Sequence, residues 1–257
     1  MINERLIGRR RLFRLGALAV VATAASPLLR RDEAWTQDLG DSTSALPVAA
    51  PSATPFVCNP AAPTTAAGAL AALVAGNALW ASEMQVHPGE DTMRRTCLAT
   101  NPQTPFASIL SCSDSRVPPE LIFDQGLGDL FVARVAGNTA SGRLIDSLLY
   151  GTAHLGSQLL FVLGHSGCAA ISTAVSSYPR PHPTLPFVNL VFPAVKQAKA
   201  IVKKNPSLEL IPVTTNQNVV LTVKGLRKYF GLSADQVAGG VYDLGTQLVT
   251  MAVDLNT

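Results

Sequence analysis

The apolar residues of this chain fall into two kinds of pattern, which alternate from about residue 67 onward. Apolar positions that recur every three or four residues predict helices, and short, mostly apolar runs predict buried strands. The helical pattern covers residues 67–84, 118–125, 141–155, 168–176, 189–203 and 216–230. Strand-like runs cover residues 106–110, 129–135 and 159–163. An alternating stretch from Gln236 to Ala252, broken by Asp243-Leu-Gly245, predicts a final strand pair, and polar residues 85–105 predict a loop.

Strands that alternate with helices are typical of an α/β fold, in which helices flank a mostly parallel central sheet. We therefore predict a single domain of this class over residues 66–257, with the strand pair at its C-terminal end. Binding sites in such sheets form at the carboxyl ends of the strands. Cys112 and His165 both follow closely on predicted strands, so we expect their side chains to meet at one edge of the sheet.

Residues 1–25 have the pattern of an export signal. Arg10 and Arg11 precede an apolar run over residues 15–25, and this order resembles a twin-arginine signal. An ordinary secretory signal and a retained anchor are the alternatives, although the apolar run is short for a membrane span. We expect the protein in the periplasm, outside the cell or in a thylakoid lumen, with no stable membrane span once the signal is removed.

The segment over residues 26–65 is rich in Ala, Pro, Ser and Thr and poor in large apolar residues. A stretch of this composition buries too little apolar surface to offset the entropy lost on folding, so it predicts a linker. We expect the ordered part of the chain to begin near Thr65.

The positive charge of the chain is concentrated in its leader. The formal net charge is +3, from 20 basic and 17 acidic side chains. Five of the arginines, but only Glu4 among the acids, lie in residues 1–25, which leaves 15 basic and 16 acidic residues for the remainder. A body with a net charge of −1 is not typical of a phosphate-binding surface. We therefore predict no nucleic-acid partner.

Two thiols and one imidazole provide the chemistry of a metal site. Cys112 lies 53 residues before His165, and Cys168 follows three residues later. Thiolate and imidazole ligands suit zinc. Three protein ligands leave one position of a tetrahedral zinc ion open, as catalytic sites do. We predict one Zn²⁺ per chain, bound by these three side chains.

Asp114 and Arg116 are the candidate catalytic residues beside this site. Asp114 has three interpretations, namely a fourth zinc ligand, an acceptor for a proton of zinc-bound water, or a helix N-cap. A salt bridge to Arg116 would keep Asp114 ionised and away from the metal. The open zinc position would then be free for a water whose pKa is lowered toward neutrality.

Four stretches carry these residues and their surroundings: Ser111-Cys-Ser-Asp-Ser-Arg-Val-Pro-Pro-Glu120, Asp129-Leu-Phe-Val-Ala-Arg134 with Ala136-Gly-Asn138, Leu163-Gly-His-Ser-Gly-Cys168, and Val241-Tyr-Asp-Leu-Gly245. As a set they resemble the motifs of the β-class carbonic anhydrases. The resemblance implies reversible hydration of carbon dioxide to bicarbonate by zinc-bound hydroxide, with Cys112, His165 and Cys168 as zinc ligands. It also implies that Asp114 orients the hydroxide and that Arg116 secures Asp114.

The same resemblance implies a homodimer or a tetramer, with the helix over residues 67–84 packed on the partner subunit. Two positions depart from the family's pattern, because Ala169 stands where glycine is common and Leu149 where glutamate is. Neither of them is a site residue. Two other functions stay open, namely hydrolysis of carbonyl sulfide or carbon disulfide on the same fold, and a non-catalytic zinc-binding protein of the cell envelope.

Cys58 and Cys97 are the two cysteines that the predicted metal site does not use. Exported proteins meet an oxidising environment in which disulfides form and persist. We predict a disulfide between these two residues that attaches the N-terminal segment to the domain. The alternative is a pair of free thiols.

Overall fold

The structure is a computed structural model that describes residues 58–255. The predicted export signal over residues 1–25, and the predicted linker up to residue 57, lie outside the described residues. Within residues 58–255 no helix has the length and apolar character needed to cross a membrane.

Five strands form one sheet, with the spatial order β2-β1-β3-β4-β5. Their bounds are β1 Ala107–Ser111, β2 Leu130–Arg134, β3 Leu159–His165, β4 Val237–Tyr242 and β5 Val249–Met251. The first four strands are mutually parallel, and β5 pairs with β4 in the antiparallel sense. This arrangement confirms the predicted α/β fold, with its mostly parallel sheet and C-terminal strand pair.

The central strands consist of residues that water does not reach. Every residue of β1 and of β3 is buried, as expected for parallel strands that are covered by helices on both faces. Ile109 and Phe161 are among the largest of these buried side chains. Each such side chain contributes roughly 1.5–3 kcal/mol through the hydrophobic effect. The two strands that end at the predicted site are therefore the ones whose residues are all buried.

Seven α-helices surround the sheet in the described part of the chain. Their bounds are α1 Ala66–Ala81, α2 Thr92–Thr100, α3 Pro119–Ile122, α4 Gly142–Leu149, α5 Ala169–Ser177, α6 Phe192–Lys204 and α7 Leu210–Phe230. A π-helical turn over Tyr150–His154 extends α4, and a 3₁₀ segment over Pro186–Val191 precedes α6. The predicted helices over 67–84, 118–125, 141–155, 168–176, 189–203 and 216–230 are all present, with shifted ends.

Helix α2 lies inside the stretch that the sequence predicts to be a loop, so that prediction is wrong there. None of its residues is buried, and a helix without a buried face leaves no apolar repeat in the sequence. The side chain of Asp91 accepts a hydrogen bond from the Arg94 amide at 2.8 Å and caps its first turn. In the sequence, Asp91 before a polar stretch is the feature that indicates the start of this helix.

Helix α7 begins at Leu210, six residues before the predicted start at Asn216. Pro212 lies in its first turn, where backbone N–H groups have no partner within the helix and a proline is therefore tolerated. The predicted start at Asn216 leaves this proline outside the helix.

Helix α1 packs on the chain's own core and on the C-terminal strand pair. Ala69 and Leu73 are fully buried. The Asn77 side chain donates to the Gln247 carbonyl at 3.0 Å and accepts from the Val249 amide at 2.7 Å. Val74 is 54% exposed, so part of the helix remains free to contact a second chain. Packing of α1 on a partner subunit stays a prediction.

The predicted disulfide between Cys58 and Cys97 is confirmed. It joins the first described residue to α2. The neighbouring Asn59 donates to Asp129 Oδ1 at 2.7 Å, and Arg94 donates to the same oxygen at 2.8 Å. The last residues of the predicted linker, from residue 58, are therefore attached to the domain at two points.

We expect two free thiols per chain in denatured, metal-free protein that has not been reduced, and four after reduction. Replacing Cys58 and Cys97 together by serine should lower the free energy of unfolding by about 3–4 kcal/mol, because the cross-link restricts the unfolded chain over a separation of 39 residues. Thiol titration and urea unfolding measure the two effects. Under reducing conditions the wild type and the variant should unfold alike. Four thiols without reduction would refute the disulfide.

Candidate metal centre

The candidate ligands are brought together by the pairing of β1 with β3. Cys112 follows directly on the last residue of β1, and His165 is the last residue of β3. The two strands are parallel neighbours, with Ser111 opposite Leu163, so their carboxyl ends lie at the same edge of the sheet. Cys168 is the N-cap of α5, one short turn after His165.

A turn built around glycine returns the third ligand to the first two. Gly167 has a φ of 64°, a left-handed conformation that costs glycine little and costs other residues more. A Cβ atom at Gly164 would lie 2.6 Å from a methyl group of Val219 on α7. Glycine at this position therefore lets α7 pack closely against the end of β3. Ala169, one of the two departures from the family pattern, is exposed in the first turn of α5, where its methyl group is accommodated.

The ligand atoms of Cys112, His165 and Cys168 all lie within 4.8 Å of one another. The two sulfur atoms are 4.0 Å apart. All three residues are buried, with relative exposures of 4%, 1% and 2%. Three donor atoms at this spacing, screened from water, can share one metal ion.

The hydrogen bond of the His165 ring selects the atom that faces this cluster. His165 Nδ1 lies 2.9 Å from the Ser166 carbonyl oxygen. A carbonyl oxygen only accepts, so Nδ1 carries the proton and Nε2 keeps its lone pair. Nε2 is buried and has no hydrogen-bond partner. An unpaired buried acceptor costs about 1–3 kcal/mol, and a metal ion would remove that cost.

The two thiols favour ionisation of one of them, Cys112, and oppose ionisation of the other, Cys168. A hydrogen bond from Cys168 lowers the pKa of Cys112 to about 4, against the opposing effect of burial. The Gly137 amide also donates to Cys112 Sγ, at 3.3 Å. The Cys112 sulfur and burial together raise the pKa of Cys168. One thiolate therefore forms readily, whereas a second thiolate at this distance requires a cation between them.

Asp114 and Arg116 form a two-pronged ion pair at the mouth of the cluster. Arg116 Nε donates to Asp114 Oδ1 at 2.9 Å, and Arg116 Nη2 donates to Oδ2 at 2.7 Å. The Arg116 amide donates to Oδ1 as well, at 3.0 Å. These bonds hold the pKa of Asp114 well below its ordinary range. Asp114 Oδ2 is 3.9 Å from His165 Nε2, so the carboxylate stands beside the position that a metal would take.

Several contacts around the centre were not assigned by the sequence analysis. Arg116 Nη2 donates to the Gly167 carbonyl at 3.2 Å and so joins the loop after β1 to the loop after β3. The Ser166 hydroxyl accepts from the Leu244 amide at 2.9 Å, which ties the second loop to the β4–β5 hairpin. Arg134, at the end of β2, donates to the carbonyl oxygen of Cys112 at 2.9 Å. In the sequence, the position of Arg134 at the end of the strand beside β1 is the feature that indicates a contact with the Cys112 loop.

The chain matches the family model described as carbonic anhydrase over residues 107–255. It is 41% identical over 106 residues to a carbonic anhydrase of Mycolicibacterium smegmatis, covering 41% of this chain and 51% of the relative. It is 40% identical over 114 residues to carbonic anhydrase 2 of Mycobacterium tuberculosis, covering 44% of this chain and 55% of the relative. The chain thus spans about half the length of the curated relatives it matches.

The fold is also similar to that of solved β-carbonic anhydrases. One of two tetrameric enzymes from the ascomycete Sordaria macrospora matches with a TM-score of 0.53 and 22% identity. The alignment covers 69% of this chain and 93% of that one. The family match includes β1 to β5 and all the residues of the candidate centre. The chain therefore belongs to the carbonic anhydrase family, in its β class.

Proposed function

We propose that this protein is a zinc enzyme that converts carbon dioxide and water reversibly into bicarbonate and a proton. The observation that carries the proposal is the position of the Asp114–Arg116 ion pair, 3.9 Å from the unpartnered nitrogen of His165. A metal cluster alone would be compatible with many roles. A cluster with an ionised carboxylate held beside it is suited to catalysis, because the carboxylate can accept a hydrogen bond from a molecule bound at the metal.

Cys112, His165 and Cys168 would bind the zinc ion. Two sulfur donors and one imidazole nitrogen are among the ligand sets that zinc prefers. A bound cation would also favour ionisation of both thiols, because it would offset the effects of the Cys112 sulfur and of burial that raise the pKa of Cys168. When bound, zinc would lower the pKa of a coordinated water to about 7 and so supply a nucleophile at neutral pH.

Asp114 would accept a hydrogen bond from the nucleophile and fix its orientation. Arg116 is not needed to ionise this carboxylate at neutral pH, because an ordinary aspartate with a pKa of about 3.9 is already ionised there. Its contribution is therefore positional. By engaging both carboxylate oxygens, Arg116 would keep Asp114 out of the metal's own coordination shell.

A purely structural zinc site is the main rival. Structural zinc sites are closed by four protein ligands. The ligand cluster found within residues 58–255 has three members, and the next acid, Asp114, is already bound at both oxygens by Arg116. These two features support an open, catalytic position.

A homodimer or a tetramer is part of the proposal. Helix α1 contains no charged residue, and its exposed Val74 offers apolar surface that a second subunit could bury. The Sordaria macrospora relatives are described as tetrameric, which supports assembly of this kind.

We also propose export by the twin-arginine route, on the basis of Arg10 and Arg11. That route carries folded proteins, so zinc would be loaded in the cytoplasm. Cys112 and Cys168 would then bind the metal before they meet an oxidant.

The full chain should bind about one zinc ion per chain and hydrate carbon dioxide rapidly. Cys168→Ser should abolish both, because it removes one of three ligands. Stopped-flow hydration and zinc content, measured on the same sample, test this prediction. The variant that lacks Cys58 and Cys97 is the control and should keep its zinc. Full zinc occupancy without hydration between pH 7 and pH 9 would refute the enzymatic role.

Asp114→Asn should lower the hydration rate about 100-fold or more, because the neutral amide is a weaker hydrogen-bond acceptor than the carboxylate and cannot take up a proton. The zinc content should not change, since Asp114 is not a ligand in this proposal. Asp146→Asn, an equal change of charge at an exposed carboxylate on α4, is the matched control. Wild-type hydration by Asp114→Asn would exclude the proposed role.

Replacing Arg10 and Arg11 together by lysine should retain the protein in the cytoplasm, because the twin-arginine route reads that pair. Fractionation of cells that express the full chain measures the exported share. Replacement of Arg9 and Arg14 by lysine is the matched control and should leave export intact. If the Arg10 and Arg11 variant is exported normally, the twin-arginine assignment is wrong and general secretion remains.

A further inference from the structure

The side chain of Arg134 connects β2 to the loop that follows β1, beyond the last backbone hydrogen bond between the two strands. Arg134 is opposite Ser111 in the register of the two strands, and the Val135 amide donates to the Ser111 carbonyl at 3.0 Å. After Ser111 the chain leaves the sheet and carries Cys112 and Asp114 into the metal centre. Arg134 contacts this loop through its side chain.

The guanidinium of Arg134 donates to the loop at two places. Nε donates to the Cys112 carbonyl at 2.9 Å, and Nη2 donates to the Asp114 carbonyl. The two acceptors lie on either side of Ser113, so one rigid group spans the segment from the first metal ligand to the catalytic carboxylate. Hydrogen bonds from a charged donor are roughly twice as strong as neutral ones.

Two arginines therefore divide the task of holding Asp114. Arg116 binds the carboxylate of Asp114, whereas Arg134 binds its backbone. Of these two arginines, Arg134 is the one that also binds the backbone of Cys112. Within the described residues no carboxylate lies within ion-pair distance of Arg134, so its charge is directed at these two carbonyl groups.

We propose that Arg134 is a positioning residue that fixes Cys112 and Asp114 relative to each other through their backbone carbonyls. The part of this inference that concerns Asp114 rests on the proposed function, and the part that concerns Cys112 rests on metal binding alone. The planar fork of arginine is essential to the role, because the single ammonium group of lysine cannot reproduce two fixed donors.

The test compares Arg134→Lys and Arg134→Ala with the wild type, using the full chain. Both variants should bind zinc about 10- to 100-fold more weakly in a competition with a chelator, as is usual when a group that orients a ligand is lost. The visible spectrum of the cobalt-substituted protein should shift, because the sulfur of Cys112 would move relative to the metal. Hydration of carbon dioxide by the zinc-loaded variants should also fall.

Arg227→Lys is the matched control. Arg227 makes the same kind of contact, with its guanidinium donating to the carbonyl groups of Ala234 and Val237. Val237 begins β4, whereas the metal centre lies at the ends of the strands. This variant should lose thermal stability as Arg134→Lys does, but it should keep the zinc affinity and the cobalt spectrum of the wild type.

Two outcomes would overturn the proposal. One is zinc affinity within twofold of the wild type and an unchanged cobalt spectrum for Arg134→Lys, whatever its hydration rate. The other is an equal loss of zinc affinity in Arg227→Lys, which would attribute the effect to general loss of stability. A wild-type protein that binds zinc but does not hydrate carbon dioxide would refute the proposed function and leave the comparison of metal affinities valid.

Discussion

The parallel pairing of β1 with β3 is the constraint on which the rest of the centre depends. Two strands that run side by side in the same direction end at the same edge, so the residues that follow them must meet. Cys112 and His165 are 53 positions apart in the chain, yet both leave the sheet within one residue of that edge. A change of register between the two strands would move one ligand away from the other.

The centre is arranged around a charge that the protein itself does not supply. Two sulfur atoms 4.0 Å apart and a buried, unpartnered imidazole nitrogen are unfavourable as a group in the absence of a cation. The carboxylate nearest the ligands is already paired, since Arg116 neutralises Asp114. The three ligand atoms remain without a compensating charge, and a divalent ion that prefers nitrogen and sulfur ligands would supply it.

Much of the fold and of the centre was predictable because it depends on short-range patterns in the sequence. The strands before Cys112 and His165 are short, mostly apolar runs, and their alternation with helices implies the parallel sheet. Helix α2 was missed because it buries no residue and so leaves no repeat. The predicted start of α7, at Asn216, is six residues late, because the helix includes Pro212 in its first turn, where a proline is tolerated.

The supporting contacts of the centre could not be predicted in the same way. Arg134 acts on backbone carbonyl groups, and a carbonyl group carries no sequence signal because every residue has one. Asn77 likewise binds the backbone of Gln247 and Val249, which are 170 and 172 positions away. Such contacts depend on the three-dimensional approach of distant segments, and the sequence specifies them only through the whole fold.

The hairpin between β4 and β5 gives the centre an order of assembly. Helix α1 contacts the hairpin through two side chains. Asn77 donates a hydrogen bond to the Gln247 carbonyl, and Trp80 Nε1 donates to the Tyr242 hydroxyl at 3.0 Å. The hairpin also binds the loop of His165 through Ser166. During synthesis this hairpin leaves the ribosome after both segments that it joins. Until the hairpin emerges, α1 lacks its contacts through Asn77 and the His165 loop lacks its contact through Ser166. A nascent chain that already contains all three metal ligands therefore still lacks part of the packing around them.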